Sequence, residues 1–459
     1  MSKQAVGRVI AMAVVTVFAT ELGLSQLESH GLPYPGYVAL GILAIAATLW
    51  VTEAVPLFVT SLAVLFLSIV WLVPSMRDAG TSISPQAFYS PFFSDVIVLF
   101  LGGFSLSAAL KKKRLDEWLA SKIIHQTGST FPKLLLGVMA VTAVLSMWLS
   151  NTATAAMMLA MVLPLANRFP ENHGNAKALL LAIPFAANIG GLGTPIGSPP
   201  NAIAMQYMSR AGIAPDFSTW MLIGLPGVAV MLGLAWGTLL VLFRESASPM
   251  PETSGDLVRV TLDRSILVIT LTVAITVFGW MTASLHGLSS GTIAMIPLLV
   301  FFGTGILQNR DLRDMSWDVL LMMGGGLCLG TVIAESGLAD WLVAQLPVDG
   351  LGIFMLTALF GTVACTMSSL MSNTATANLL LPIIIGLSVE TTSPIMIGTA
   401  FGCSLAMPLP ISTPPNAMAF SSGKINVGDM VRPGLLLTIV GVSLALTTGY
   451  AWWKAMGLW

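Results

Sequence analysis

The sequence predicts an all-α polytopic membrane protein with about eleven transmembrane helices and two re-entrant hairpins, arranged as inverted-topology repeats. Three observations carry that expectation. Of 459 residues, 55% are hydrophobic and only 9% are charged, where a typical soluble domain has about 25% charged residues. Apolar windows long enough to cross roughly 30 Å of hydrocarbon recur along the whole chain. Finally, one phrase is written twice, as Ser150-Asn151-Thr152-Ala153-Thr154 and as Ser372-Asn373-Thr374-Ala375-Thr376.

Taken in order, crossings are expected near 9–24, 37–54, 56–73, 94–110, 178–206, 217–243, 263–283, 290–307, 317–334, 394–418 and 433–453. Lys3 and Arg8 precede the first window as in a secretory signal. No small-x-small cleavage pattern follows and more spans do, so a first transmembrane helix is expected there. Two further apolar stretches, 134–166 and 351–388, each hold one copy of the phrase. Each is roughly one and a half spans long and reads as a re-entrant hairpin, a shape tolerated where protein surrounds it. Two tight spans are the alternative.

Lys and Arg give an independent test of orientation. With a cytoplasmic N-terminus, the outer side keeps only Arg77, Arg210 and Lys454, and the other 17 of the 20 basic residues fall inside. The C-terminus is then expected outside. Net charge is −1 and no basic run is interleaved with aromatics, so nucleic acid is not an expected partner. Cys328, Cys365 and Cys403 lie in apolar segments without metal-like spacing and read as buried free thiols.

The repeat extends beyond the phrase. Asp95 to Gly103 aligns with Asp318 to Gly326, Leu115 to Leu119 with Leu338 to Leu342, and Gly193 to Ala204 with Pro408 to Ala419. The stretches around Trp118 and Trp341 are expected to lie along the lipid bilayer interface. Asp95 and Asp318, Ser150 and Ser372, and Asn201 and Asn416 stand 223, 222 and 215 residues apart, so order is kept with small indels. Five crossings separate the first pair, which makes the copies face opposite ways, as in many secondary transporters. Residues 245–262 form a polar linker between the halves.

Each half supplies a hairpin tip and a helix broken at Pro199-Pro200 or Pro414-Pro415. Proline lacks the N–H donor and its ring clashes with a continuing helix. A break frees carbonyls for a cation and N–H groups for an anion. No Asp, Glu, Lys, Arg or His occurs in 134–167, 178–209, 350–389 or 391–423. An anion held there needs its charge compensated, and co-bound cations are the natural source. Hydroxyl, amide and carbonyl oxygens suit hard cations such as sodium. Proton coupling is harder to build without a titratable group. Helix packing alone accounts for a lone Ser or Thr, but poorly for Asn151 and Asn373 twinned by the repeat. Glu53 and Glu21 read as structural carboxylates.

Two SNT motifs, each followed by a Pro-Pro-Asn break, resemble the divalent anion/sodium symporter family, across essentially the whole chain. The resemblance is greatest to bacterial sodium-coupled C4-dicarboxylate transporters, and it implies several things. The protein would be a homodimer in the bacterial inner membrane, without an enzymatic cofactor. Each protomer would have a static scaffold and a transport domain moving as an elevator. Scaffold parts would be 1–133 and 263–350, transport parts 134–243 and 351–459, joined by the linker 244–262. A dicarboxylate would meet Asn151, Thr152 and Ser198 from one repeat, and Ser372, Asn373, Thr374, Thr413 and Pro414 from the other. One sodium ion would bind near Ser146, Ser150, Asn151 and Gly197; its counterpart would use Ser368, Met371 (by its carbonyl), Asn373 and Ser412.

Citrate, sulfate or another small anion is open as substrate, as is dicarboxylate exchange. An anion channel is the reading from another class, and two mirrored hairpins argue against a continuous pore. No nucleophile–base or paired-carboxylate constellation lies at membrane depth, so an enzyme is not expected.

Overall fold

The computed structural model describes residues 31–127, 130–243, 245, 260, 263–345, 350–387 and 392–458. The expected helix near 9–24, Glu21 and nearly all of the 245–262 linker lie outside the described residues. Every described element of length is a helix. In chain order they are α1 (Tyr34–Thr52), α2 (Leu57–Asp78), α3 (Asp95–Lys112), α4 (Leu115–Thr127), α5 (Phe131–Ser146) and α6 (Asn151–Ala166). Then follow α7 (Gly174–Gly190), α8 (Pro199–Arg210), α9 (Phe217–Leu242), α10 (Arg264–Met281), α11 (Ser290–Gly303) and α12 (Trp317–Glu335). The last are α13 (Leu338–Gln345), α14 (Ile353–Leu370), α15 (Asn373–Ile385), α16 (Ser393–Ser404), α17 (Pro414–Phe420) and α18 (Val427–Ala455).

The protein is a multi-pass membrane protein: among the described residues nine helices are long and apolar enough to cross a bilayer. Most of the expected windows meet one of these helices, the last helix beginning earlier than its window, at Val427. Windows 178–206 and 394–418 are each divided into two shorter helices at the proline breaks, 290–307 falls on the shorter helix α11, and the span Ile353–Leu370 lies in a stretch expected as a hairpin. Local chemistry sets several starts. Asp216 accepts the Thr219 N–H at 2.7 Å ahead of α9, and Ser289 accepts the Thr292 N–H at 3.1 Å ahead of α11. Such caps satisfy backbone donors that the helix cannot pair internally. The two apolar stretches holding the repeated phrase fold as helical hairpins, α5–α6 and α14–α15. Their arms are unequal in the second copy: α14 has 18 residues, enough by length to cross, while α15 has only 13.

Elements α3 to α9 recur in the same order as α12 to α18. The broken helices lie deepest: the span Gly174–Gly193 is 94% buried, against 22% for α9, whose apolar surface faces outward. Hairpins and broken helices share one large apolar core, which takes in Met139, Met158, Phe185, Trp220 and Phe401. A second core joins α1 and α2 to α12 and α13 through Tyr37, Trp50, Leu72 and Leu329. The amphipathic helices α4 and α13 follow α3 and α12 as the sequence predicts.

Close backbone approach depends on glycine at one crossing. On α12, a Cβ at Gly326 would stand 1.8 Å from Asn378 Oδ1, and one at Gly325 would stand 2.1 Å from Ser61 Cβ. Asn378 Nδ2 and Ser61 Oγ both donate to the Met322 carbonyl, each at 3.2 Å. Thus the glycine run repeated from α3 lets α2 and α15 reach the α12 backbone.

Candidate functional site

The tip of the first hairpin is a sharp reversal between Ser146 and Asn151. Ser150 caps α6, its hydroxyl accepting the Ala153 N–H at 3.2 Å. The cap leaves Asn151 as the first helical residue, with its amide turned toward the broken helix. One terminal atom of that amide faces three oxygens: Ser146 Oγ at 2.5 Å, the Gly197 carbonyl at 3.0 Å and the Ala187 carbonyl at 3.3 Å. With its nitrogen toward them it donates to all three. With its oxygen toward them, it completes a cluster of four oxygens of the kind a hard cation takes. Ser146 Oγ also donates to the Ala187 carbonyl at 2.8 Å.

The second hairpin repeats the arrangement. Ser372 caps α15 by accepting the Ala375 N–H at 3.1 Å. Ser368 Oγ lies 2.6 Å from Asn373 Oδ1 and donates to the Cys403 carbonyl at 2.9 Å. The copies part at the break. Ser412 Oγ donates to the Ser369 carbonyl at 3.0 Å and accepts the Leu409 N–H at 3.3 Å, so its hydrogen bonds run beside the Asn373 cluster and not into it. In the first repeat it is Thr194 whose hydroxyl reaches the hairpin, donating to the Met147 carbonyl at 2.5 Å. Met371 is extended (φ −141°, ψ 175°) just ahead of the cap, with its side chain buried.

Both breaks are held by the asparagine of Pro-Pro-Asn. Asn201 Nδ2 donates to the carbonyls of Gly191 (2.8 Å) and Thr194 (2.9 Å). Asn416 Nδ2 does the same for Met407 (3.0 Å) and Leu409 (2.9 Å). The amide replaces backbone donors that the prolines lack, so the unwound carbonyls stay satisfied. Ser198 and Thr413 stand at the N-cap positions of α8 and α17, both buried, and only Thr413 accepts a backbone N–H there, that of Asn416.

The repeats exchange partners across the centre. The start of α17 packs against α6, and α8 packs against α15, so each tip has the other repeat's broken helix beside it. Thr152 and Pro414 are exposed, whereas Asn151, Asn373, Thr374, Ser150 and Ser372 are half-buried. Ser146, Gly197, Ser198, Ser368, Ser412 and Thr413 are buried. Helix starts, half-exposed amides and hydroxyls thus line the site, and no described charged side chain stands in α5, α6, α8, α14, α15, α16 or α17 apart from Lys133 and Arg210 at outer ends.

Sequence reasoning passes over three kinds of group. The Ala187 and Cys403 carbonyls join the clusters, but a backbone oxygen leaves no trace in residue identity. Asn188 and Ser404 bridge the repeats, and neither stands in a motif. Thr154 and Thr376, last letters of the repeated phrase, are fully buried with hydroxyls that have no partner among the described residues. Their presence in both copies is the signal that could have found them. No group of three or more His, Cys, Asp or Glu among the described residues could hold a metal ion.

Comparison with known proteins places this architecture. Residues 47–394 match the family model described as citrate transporter. The chain is 33% identical to the sodium-dependent dicarboxylate transporter SdcS of Staphylococcus saprophyticus, over 94% of this chain and 88% of that protein. It is 34% identical, over the same shares, to the protein of that name from Staphylococcus aureus strain USA300. The fold is similar to the crystal structure of the Alcanivorax borkumensis YdaH transporter, described as having an unusual topology. That match has a TM-score of 0.57 and 13% identity, and covers 93% of this chain and 99% of the other.

Proposed function

This chain belongs to the divalent anion/sodium symporter family, and on that premise we propose that it imports a C4-dicarboxylate such as succinate, fumarate or malate together with sodium. The observation that carries the proposal is the pair of neutral oxygen clusters, Ser146/Asn151/Ala187/Gly197 and Ser368/Asn373/Cys403, at equivalent places in two repeats. Neutral clusters attract a dianion poorly on their own. Filled with sodium, each places a positive charge beside the hydroxyls and helix starts that would meet a carboxylate.

In this reading one sodium takes Ser146, Ser150, Asn151 and Gly197, with the Ala187 carbonyl added. The other takes Ser368, Met371, Asn373 and the Cys403 carbonyl, with Ser412 supporting it from the break. Because Ser150 and Ser372 spend one lone pair as helix caps, each offers only its remaining capacity to a ligand. One carboxylate then meets Asn151, Thr152 and Ser198, and the other meets Ser372, Asn373, Thr374, Thr413 and Pro414. Hairpins and broken helices would move together as the transport domain; the core they share also takes in residues of α3, α10, α11 and α12. The scaffold would include α1, α2, α12 and α13, whose common core also meets Met371, Ala375 and Leu379 of the second hairpin. A homodimer in the inner membrane, N-terminus inside and C-terminus outside, completes the reading. The distribution of Lys and Arg supports that orientation.

The test is uptake of labelled succinate into proteoliposomes. An inward sodium gradient should drive accumulation, and replacing sodium by choline should abolish it. Equal uptake in choline overturns the coupling. Because the matching family model is described as citrate transporter, citrate belongs in the same assay as a competitor.

A further inference from the structure

In each repeat, two consecutive residues of the broken helix serve different places. Ala187 gives its carbonyl to Ser146 Oγ in the first oxygen cluster (2.8 Å). Asn188, the next residue, reaches into the second repeat, where its Nδ2 donates to Thr413 Oγ1 at 3.2 Å and to Asn416 Oδ1 at 3.4 Å. The second repeat does the same in reverse. Cys403 gives its carbonyl to Ser368 Oγ (2.9 Å), and the hydroxyl of Ser404 lies 3.1 Å from Ser198 Oγ. Ala187 and Cys403 are 216 residues apart, as are Asn188 and Ser404, and Ser198 and Thr413 are 215 apart. The two contacts are therefore one exchange seen from both sides. All four bridging residues are buried, the most exposed being Thr413 at 3%.

The partners are the residues that shape each break. Thr413 accepts the Asn416 N–H at 3.3 Å as the cap of α17, and Asn416 stitches the unwound carbonyls of Met407 and Leu409. Ser412, adjacent to Thr413, holds the second hairpin. Asn188 thus grips the frame of the second cluster while its own peptide neighbour lines the first. Its Oδ1 is buried with no partner among the described residues.

We propose that Asn188 and Ser404 are positioning residues that couple the two cation clusters, so that filling one fixes the helix break beside the other. This rests on the sodium-coupled reading above. A cation in the first cluster draws in the Ala187 carbonyl and orders the peptide that carries Asn188. That peptide's side chain then holds Thr413 and Asn416 in the geometry the second cluster needs. Ser404 acts in the opposite direction on Ser198. Coupling of this kind is reciprocal, so each site raises the affinity of the other by the same factor. Asn188 makes two cross-repeat contacts and Ser404 one, so Asn188 carries the larger share.

The experiment titrates sodium, balanced with choline, against purified wild type, Asn188→Ala, Asn188→Ser and Ser404→Ala. Two readouts are followed: thermal stabilisation without dicarboxylate, and initial rates of succinate uptake. Wild type should respond with a Hill coefficient above 1. Asn188→Ala should fall to about 1, with half-saturating sodium raised roughly fivefold or more, the lower end of typical coupling energies. Asn188→Ser, which restores the hydroxyl that the second repeat uses, should recover part of the steepness, and Ser404→Ala should lose less of it. Wild-type steepness in Asn188→Ala overturns the proposal, even if half-saturation rises, because a structural defect alone moves only the midpoint. A wild-type Hill coefficient of 1 overturns it too. Should Asn188→Ala fail to fold, unchanged steepness in both Asn188→Ser and Ser404→Ala has the same force. A wild type that melts equally in sodium and choline defeats the sodium reading itself. A sodium-stabilised wild type with unaltered variants defeats only the coupling.

Discussion

Asn151 and Asn201 approach the same helix break with the same functional group, yet their surroundings assign them opposite tasks. Asn201 is fully buried and its Nδ2 satisfies two unwound carbonyls. Truncation leaves the Gly191 and Thr194 carbonyls without that donor, at about 1–3 kcal/mol for each group left unsatisfied. Asn201→Ala should therefore lower the melting temperature in detergent, in choline as much as in sodium. Asn151 is half-buried, and one terminal atom of its amide faces Ser146 Oγ and the carbonyls of Ala187 and Gly197. Asn151→Ala should melt close to wild type in choline, lose sodium-dependent stabilisation, and lose sodium-driven succinate uptake by at least tenfold. A stable Asn151→Ala with normal uptake would remove the amide from the site. Sequence alone marks both asparagines as unusual, but it does not say which one holds the fold and which is left to hold a ligand.

Among the elements, the end of α3 is tied to the start of the second half by two ion pairs. Lys113 Nζ lies 2.6 Å from Asp263 Oδ2, and Lys112 Nζ lies 2.6 Å from Asp311 Oδ2. Asp263 also caps α10, accepting the Ile266 N–H at 2.9 Å. The hydrogen bond from Lys113, followed by that backbone N–H, holds the Asp263 carboxyl below the usual carboxylate range. Since the folded pKa lies below the unfolded value of about 3.9, the stabilisation is complete above that value. It is lost as pH falls through the folded pKa. Asp263→Asn should thus melt below wild type at neutral pH by a small margin, as exposed pairs contribute little, and the gap should close below about pH 4. Since Asn caps a helix about as well as Asp, a gap that persists in acid would show that loss of the charge is not its cause. This tether was not legible in the sequence, because pairing depends on which helix ends meet.

The whole molecule is where the proposed orientation becomes testable. Cys328, Cys365 and Cys403 are all buried, so the native chain offers little background to thiol reagents. Arg77 and Arg313 are exposed at ends assigned to opposite sides. A membrane-impermeant maleimide on intact cells should label Arg77→Cys, and should label Arg313→Cys only after permeabilisation. Labelling of Arg313→Cys in intact cells would invert the topology. Most crossings were legible because a bilayer demands uninterrupted apolar runs of fixed length; the exceptions are 178–206 and 394–418, which break at their prolines, and Ile353–Leu370, a span by length within an expected hairpin. The hairpins were legible from the repeated polar phrase; the phrase says nothing of their unequal arms, although Gly386 at the end of α15 is a local stop signal.

Sequence by itself determined that the chain spans a membrane many times, that it is built twice, and that its two polar tips carry no charge. Each of these follows from residue type and period, which burial in hydrocarbon makes costly to disguise. Tertiary structure alone decided how the halves interlock. It set α17 of the second repeat against the α6 tip and α8 of the first against α15. It brought the Ala187 and Cys403 carbonyls into the oxygen clusters and turned Asn188 and Ser404 toward the opposite breaks. Backbone carbonyls are the same in every residue, and a buried amide in the last turn of a helix looks like any other polar residue until the fold supplies its partner. The reason is therefore one of reach: residue type fixes what a group is able to bind, and only packing brings two groups hundreds of residues apart within hydrogen-bonding distance.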